Sequence, residues 1–189
     1  MLLRASDPAW IELALARLDE VLLDHAHCEK KAAAQALSLI AAWPGRAALV
    51  QRLSRLAQEE LTHFRQVYDR LLARGLTLGR DPGDPYARGL RRLVRPQPEA
   101  DRLTDLLLIA ALIEARSHER LELLATHLAD PELQGFYRHL ARAEEGHARL
   151  FVDLAAEYAP RPAVEARLQE LAAAEAGIVA ELPLRPAIH

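Results

Sequence analysis

The stretch LVQRLSRLAQEELTHFRQVYDRLL (residues 49–72) reads as one face of an amphipathic helix, with an anomaly in its middle. Leu49, Leu53, Leu56, Val67 and Leu71 recur at the three-and-four spacing that lines a helical stripe. Glu60 and His63 fall in that same stripe, where apolar side chains belong. The stretch LQGFYRHLARAEEGHARLFVDL (133–154) repeats the arrangement, with Glu144 and His147 set between Leu140 and Phe151.

Working outward, each of these segments is preceded by another helical stripe carrying one glutamate. Leu18, Leu22, Glu29, Ala33, Leu37 and Ile40 form the first, and Leu103, Leu107, Ala110, Glu114, Leu121 and Leu128 the other. Glu60 follows Glu29 by 31 residues and Glu144 follows Glu114 by 30, which predicts two equivalent helical hairpins. An ionised carboxylate in apolar surroundings costs several kcal/mol unless it is paired or binds a metal. Four together would repel one another and drive protonation. Two divalent cations cancel four negative charges, and two neutral imidazoles complete the donor set. The pattern of one Glu from each of two helices plus Glu-x-x-His from each of two others is that of di-iron carboxylate bundles. Its i,i+3 spacing puts both side chains of a pair on one face, within reach of one ion.

The expected metal ligands are therefore Glu29, Glu60, His63, Glu114, Glu144 and His147, with Glu60 and Glu144 bridging and Glu29 and Glu114 terminal. Carboxylate and imidazole ligation without thiolate suits iron or manganese. Cys28 is the only cysteine, which removes multi-cysteine zinc and iron–sulfur sites from consideration. Glu59 and Glu145 lie one residue from proposed ligands, a turn of about 100° that points them to solvent. His118, one turn after Glu114, is a candidate ligand but is expected to support the site from outside or face solvent, and His25 and His27 are expected to pack or face solvent, with one of them able to reach the edge of the site.

The rest of the chain agrees with a helical class. Half of its 189 residues are apolar, yet aromatics make up only 5%. Asp7-Pro8 and Asp130-Pro131 are cap-plus-proline helix starts. Helices are predicted from Asp7 to Trp43 with a break near 20–24, from Arg46 to Arg74, from Pro98 to Ala129, from Asp130 to before Pro160, and from Pro162 to about Glu181. Residues 75–97 hold four glycines and three prolines, too many for one regular helix. Short links within each hairpin and this long one between them predict an all-α, ferritin-like four-helix bundle with a single crossover and an additional C-terminal helix, in one domain spanning 1–189. The longest apolar run, Leu106 to Ile113, is too short to span a bilayer, and the N-terminus lacks a signal-peptide pattern. A soluble, cytoplasmic protein is the expectation.

The segments LLDHAHCEKKAA (22–33), EELTHF (59–64), LGRDPGDPYARGLRRLVR (78–95), LLIAALIEARSHERLELL (107–124) and ARAEEGHARLF (141–151) resemble the tRNA 2-methylthio-N6-isopentenyladenosine hydroxylase (MiaE) family. The resemblance runs from the first helix through the fourth. It implies a non-haem di-iron monooxygenase that uses dioxygen and an external electron donor, a reductase or ferredoxin, to hydroxylate the isopentenyl group of an adenosine beside the anticodon. It assigns iron to the same six ligands. An iron-oxidising or storage protein, or a di-iron oxidase with another substrate, is the alternative within the fold. A basic series in the crossover, Arg88, Arg91, Arg92 and Arg95, is suited to the phosphate contacts that position RNA without reading its bases. Tyr86 is a candidate for stacking on a base.

Overall fold

The computed structural model describes all 189 residues as seven helices and no strands. They are α1 (Pro8–Ala16), α2 (Leu18–Ala42), α3 (Ala47–Ala73), α4 (Pro85–Arg91), α5 (Glu99–His127), α6 (Pro131–Tyr158) and α7 (Arg161–Glu181). Two long hairpins, a broken crossover and a C-terminal helix follow in ferritin-like order. The chain divides into two compact units.

One unit comprises residues 16–82 with 186–188 and is built on the α2–α3 hairpin. Helix α3 buries Leu49, Leu53, Leu56, Val67 and Leu71, the stripe expected from its periodicity. Each such side chain contributes about 2 kcal/mol when removed from water. The helix closes on Gly75, whose φ of 71° places it in the left-handed region. There Gly75 N–H donates to Leu72 O and Leu76 N–H to Leu71 O, the paired bonds of a Schellman stop. Helix α2 departs from expectation in two ways. The break lies at Arg17 (φ −129°, ψ 44°) rather than within 20–24, and the Arg17 guanidinium holds Glu20 at 2.5 and 2.6 Å across it. Further along, Ala36 and Leu39 are buried, while Leu37 is 54% exposed. Small alanines at 33 and 36 let the buried stripe drift, leaving Leu37 on its solvent side.

The other unit comprises residues 1–15, 83–185 and 189. Here α5 and α6 pack against each other along their lengths, and α7 packs on α4, α5 and α6. Asp7, Asp84 and Asp130 each cap a helix whose first residue is proline, accepting from the N–H of Ala9 (2.8 Å), Ala87 (2.9 Å) and Glu132 (2.9 Å). Such a cap is worth about 1 kcal/mol. Gly89 lets α4 approach α7 closely, since a Cβ there would lie 3.2 Å from Ile178. The end of the crossover is anchored by Asp105, which is fully buried and accepts from both Arg95 and Arg167 at 2.7–3.0 Å. Burial alone would raise the Asp105 carboxyl, but hydrogen bonds from the two arginines overcome this and hold it below its ordinary value.

Candidate metal centre

In the 16–82 unit, the hairpin brings Glu29 of α2 to Glu60 and His63 of α3. Each offers a donor atom within 4.8 Å of the others, and all three are buried. His63 Nδ1 lies 3.7 Å from both Glu29 Oε2 and Glu60 Oε2. Burial favours neutral imidazole, yet the two carboxylates outweigh it and push the His63 pKa up to about 10.

The other unit contains the counterpart. Glu114 of α5 and Glu144 and His147 of α6 are buried and likewise offer donor atoms within 4.8 Å of one another. His147 Nδ1 lies 3.5 Å from Glu144 Oε2, and that oxygen is buried without a hydrogen bond. An acceptor left in that state costs about 1–3 kcal/mol.

These distances test whether a cation suits the residues. Nitrogen and oxygen 3.5–3.7 Å apart lie beyond ordinary hydrogen-bond range. Donors held about 2.1 Å from a shared ion stand roughly 3–3.6 Å apart. The His63 and His147 nitrogens stand at or just beyond that spacing from their carboxylates, and the oxygen-and-imidazole chemistry of both triads is suited to iron or manganese. All six residues expected as ligands are buried. Glu59 is exposed, and Glu145 is half-exposed and paired with Arg149, so the helical phase read from the sequence is correct.

Three flanking histidines have defined places. His25, one turn before Glu29, sets its Nε2 2.7 Å from Glu29 Oε1 and is 1% exposed. An ionised carboxylate only accepts, so the imidazole N–H donates and orients Glu29. His27 is buried, with Lys30 Nζ 3.0 Å from its Nδ1, and burial followed by the lysine charge lowers its pKa. His118 uses its Nδ1 on Ala141 O at 2.8 Å.

The crossover arginines are used unequally. Arg88 and Arg91 lie on α4 and Arg92 caps it, all three at least partly exposed. Arg95 lies past the helix, bound to Asp101 at 2.9 Å and to Asp105. Tyr86 is 1% exposed and donates its hydroxyl to Glu175 Oε1 at 3.0 Å, so it is not presented for stacking.

Sequence reasoning missed the polar network to which Tyr86 belongs. Arg116 is fully buried and donates to Glu175 Oε1 from Nε (3.1 Å) and Nη2 (2.6 Å), to Arg4 O (2.9 Å) and to Glu119. Glu119 in turn accepts from Ser6 N–H and Oγ, both at 2.8 Å. Burial and then the Glu175 charge push the Tyr86 phenol well above its usual range. The one signal in the sequence was position, since Arg116 stands one helical turn after Leu112 of the apolar run.

The family model described as tRNA-(MS[2]IO[6]A)-hydroxylase (MiaE) matches residues 1–189. The chain belongs to the MiaE family. Its MiaE relatives include the tRNA 2-(methylsulfanyl)-N(6)-isopentenyladenosine(37) hydroxylase of Pseudomonas putida, 43% identical over 171 residues, which are 90% of this chain and 82% of the relative. The enzyme of the same name from Salmonella typhimurium is 36% identical over 131 residues, 69% of this chain and 47% of the relative. Among solved structures, Protein 43 with aldehyde deformylating oxygenase activity from Synechococcus is similar at a TM-score of 0.94 and 40% identity, covering 100% of this chain and 94% of that one. The glutamates and histidines of the two triads thus belong to a MiaE sequence whose named relatives are hydroxylases.

Proposed function

We propose that this protein hydroxylates the isopentenyl group of 2-methylthio-N6-isopentenyladenosine in tRNA, using dioxygen and two iron ions held by Glu29, Glu60, His63, Glu114, Glu144 and His147. The observation that carries the reading is the recurrence of one buried Glu/Glu-x-x-His triad in each unit of a MiaE-family chain. Four carboxylates against two divalent ions leave no net charge, which makes their burial tolerable. On this reading the two units serve one functional domain.

Iron would supply the dioxygen chemistry that no side chain here can perform. The protein's own contribution is binding and orientation. Glu29, Glu60, Glu114 and Glu144 would give carboxylate oxygens to the ions, and His63 and His147 would give one nitrogen each. His25 fixes the orientation of Glu29 through its 2.7 Å hydrogen bond. An external donor, a ferredoxin or reductase, supplies electrons. The exposed Arg88, Arg91 and Arg92 contact tRNA phosphates, while Arg95 braces the crossover behind them. No helix is long and apolar enough to cross a membrane, and work on tRNA puts the protein in the cytoplasm.

The test is nucleoside analysis of tRNA from a strain lacking this protein. The unhydroxylated isopentenyl nucleoside should accumulate, and complementation should restore hydroxylation. The Synechococcus protein's activity makes an aldehyde the counter-substrate: turnover of aldehyde with unaltered tRNA nucleosides would overturn the assignment.

A further inference from the structure

A small cavity of about 90 Å³ opens in the unit of residues 1–15, 83–185 and 189, where the N-terminal segment meets the end of α7. Its polar lining is Arg4, Asp7, Arg120, Arg185, Tyr86 and His189, and its apolar wall is the stretch 182–184. Three arginines and one aspartate thus line the cleft, in a chain whose net charge is −3. Asp7 is occupied in capping α1 through Ala9 N–H. The Arg4 and Arg185 side chains have no ion-pair or hydrogen-bond partner, so their charge is not cancelled within the protein. Arg120 is only 9% exposed, lies 4.9 Å over the Trp10 ring and donates to Ser6 Oγ at 3.1 Å, which fixes its direction. His189 is held between Ser117 Oγ (2.8 Å) and Asp84 Oδ2 (3.2 Å) and stacks on Tyr86.

We infer that this cleft takes a backbone phosphate of the RNA, on the reading that tRNA is the substrate. The volume is that of a phosphate group with some water and is far below the several hundred Å³ of a nucleotide or cofactor pocket. The cationic lining supplies the fork geometry with which arginine grips phosphate oxygens. Leu184, 45% exposed on the wall, offers an apolar surface to an adjoining ribose.

Continuity with α4 selects a polymer over a free anion. Pro85 lines the cleft and begins α4, from which Arg88, Arg91 and Arg92 continue. Arg88 reaches back toward Gly83, where a Cβ would lie 3.2 Å from its Nη2, which brings this guanidinium to the start of α4 beside Pro85 of the cleft wall. Seven residues of helix span about 10 Å, a reach that only a chain of phosphates would follow.

The experiment compares iron-loaded wild type with Arg4→Glu, Arg185→Glu, Arg185→Lys and, as a control for net charge, the exposed Arg138→Glu. Binding of an anticodon stem-loop RNA is measured against salt, and kcat and KM are measured on tRNA carrying the precursor nucleoside. Each cleft reversal should weaken RNA binding and raise KM roughly tenfold with kcat unchanged, and flatten the log–log salt slope by about one for each phosphate no longer gripped. Arg138→Glu should stay within about threefold of wild type, and Arg185→Lys, which keeps the charge but loses the fork, should fall between it and Arg185→Glu. Wild-type RNA affinity in both reversal variants would overturn the inference. If inorganic phosphate also raises the wild-type Tm in that case, the cleft is a site for small anions. Loss of hydroxylation by the wild type with RNA binding intact strikes the proposed function instead, because affinity is read separately.

Discussion

His25 Nε2 lies 2.7 Å from Glu29 Oε1, both side chains nearly inaccessible, one turn apart on α2. The imidazole therefore holds one oxygen of Glu29, leaving Oε2 on the side of His63. A hydrogen bond to a ligand's outer atom fixes the ligand's rotamer and tunes its basicity, and losing one typically costs 10–100-fold in metal affinity or activity. His25→Phe should lower iron(II) affinity by about that factor in an anaerobic titration, with His25→Gln recovering part of it. Equal affinity in wild type and His25→Phe would limit His25 to packing.

Glu60 and Glu144 are 1% and 2% exposed, whereas their neighbours Glu59 and Glu145 face solvent. Glu60→Ala or Glu144→Ala should remove most bound iron, measured by elemental analysis after reconstitution, and abolish hydroxylation. Glu59→Ala and Glu145→Ala should retain both. Comparable iron loss in the two sets would refute the assignment of ligands.

This contrast also shows what made the site legible. A charge in an apolar stripe is visible because helical periodicity fixes which residues share a face, so the two Glu-x-x-His pairs and their partner glutamates could be placed from spacing alone. Proline and glycine punctuation marked the helix ends in the same way, with Asp7 and Asp130 capping as their residue types dictate, whereas the short helix that Asp84 caps was not foreseen. The Arg116–Glu175–Tyr86 network could not be read, because its members lie 59 and 89 residues apart and only tertiary packing brings them together. Arg95 and Tyr86 illustrate the reverse case: their residue types suit RNA contact, but buried partners on other helices, Asp105 of α5 and Glu175 of α7, claim them.

Metal loading should depend on pH through His63. Its folded pKa is raised to about 10 from 6.5 by Glu29 and Glu60, against the opposing effect of burial. In metal-free protein this group's stabilisation is complete below pH 6.5 and is lost as pH rises through about 10. A metal must displace the same proton, so its affinity should climb across that window by up to tenfold per pH unit. Titration with cobalt(II) as a spectroscopic stand-in, together with melting of the metal-free protein, checks both slopes. His63→Gln should flatten each of them, and a wild-type affinity independent of pH would show that His63 is not a ligand.

Arg116 and Glu175 are each fully buried, and each is the other's main compensation. Removing one partner strands the other's charge, which typically costs about 3–5 kcal/mol. Arg116→Met should therefore lower Tm by roughly 10 °C, the scale expected for a chain of this size. The substitution also loosens the N-terminal segment, because Arg116 Nη2 holds Arg4 O and its Nη1 reaches Ser6 Oγ at 3.3 Å. Proteolysis should accordingly cut first within residues 1–7 in that variant. The double variant Arg116→Met/Glu175→Leu strands no fully buried charge, leaving only the part-exposed Glu119 without its arginine, and should regain much of the missing stability, since a buried pair is often no better than apolar side chains of similar volume. Tyr86 distinguishes the outcomes: with Glu175 gone, its hydroxyl loses the 3.0 Å acceptor and the second-largest cause of its raised pKa. Its spectrophotometric titration should then begin at lower pH than in wild type, whereas unchanged titration and Tm across the set would mean that the network contributes nothing to the fold.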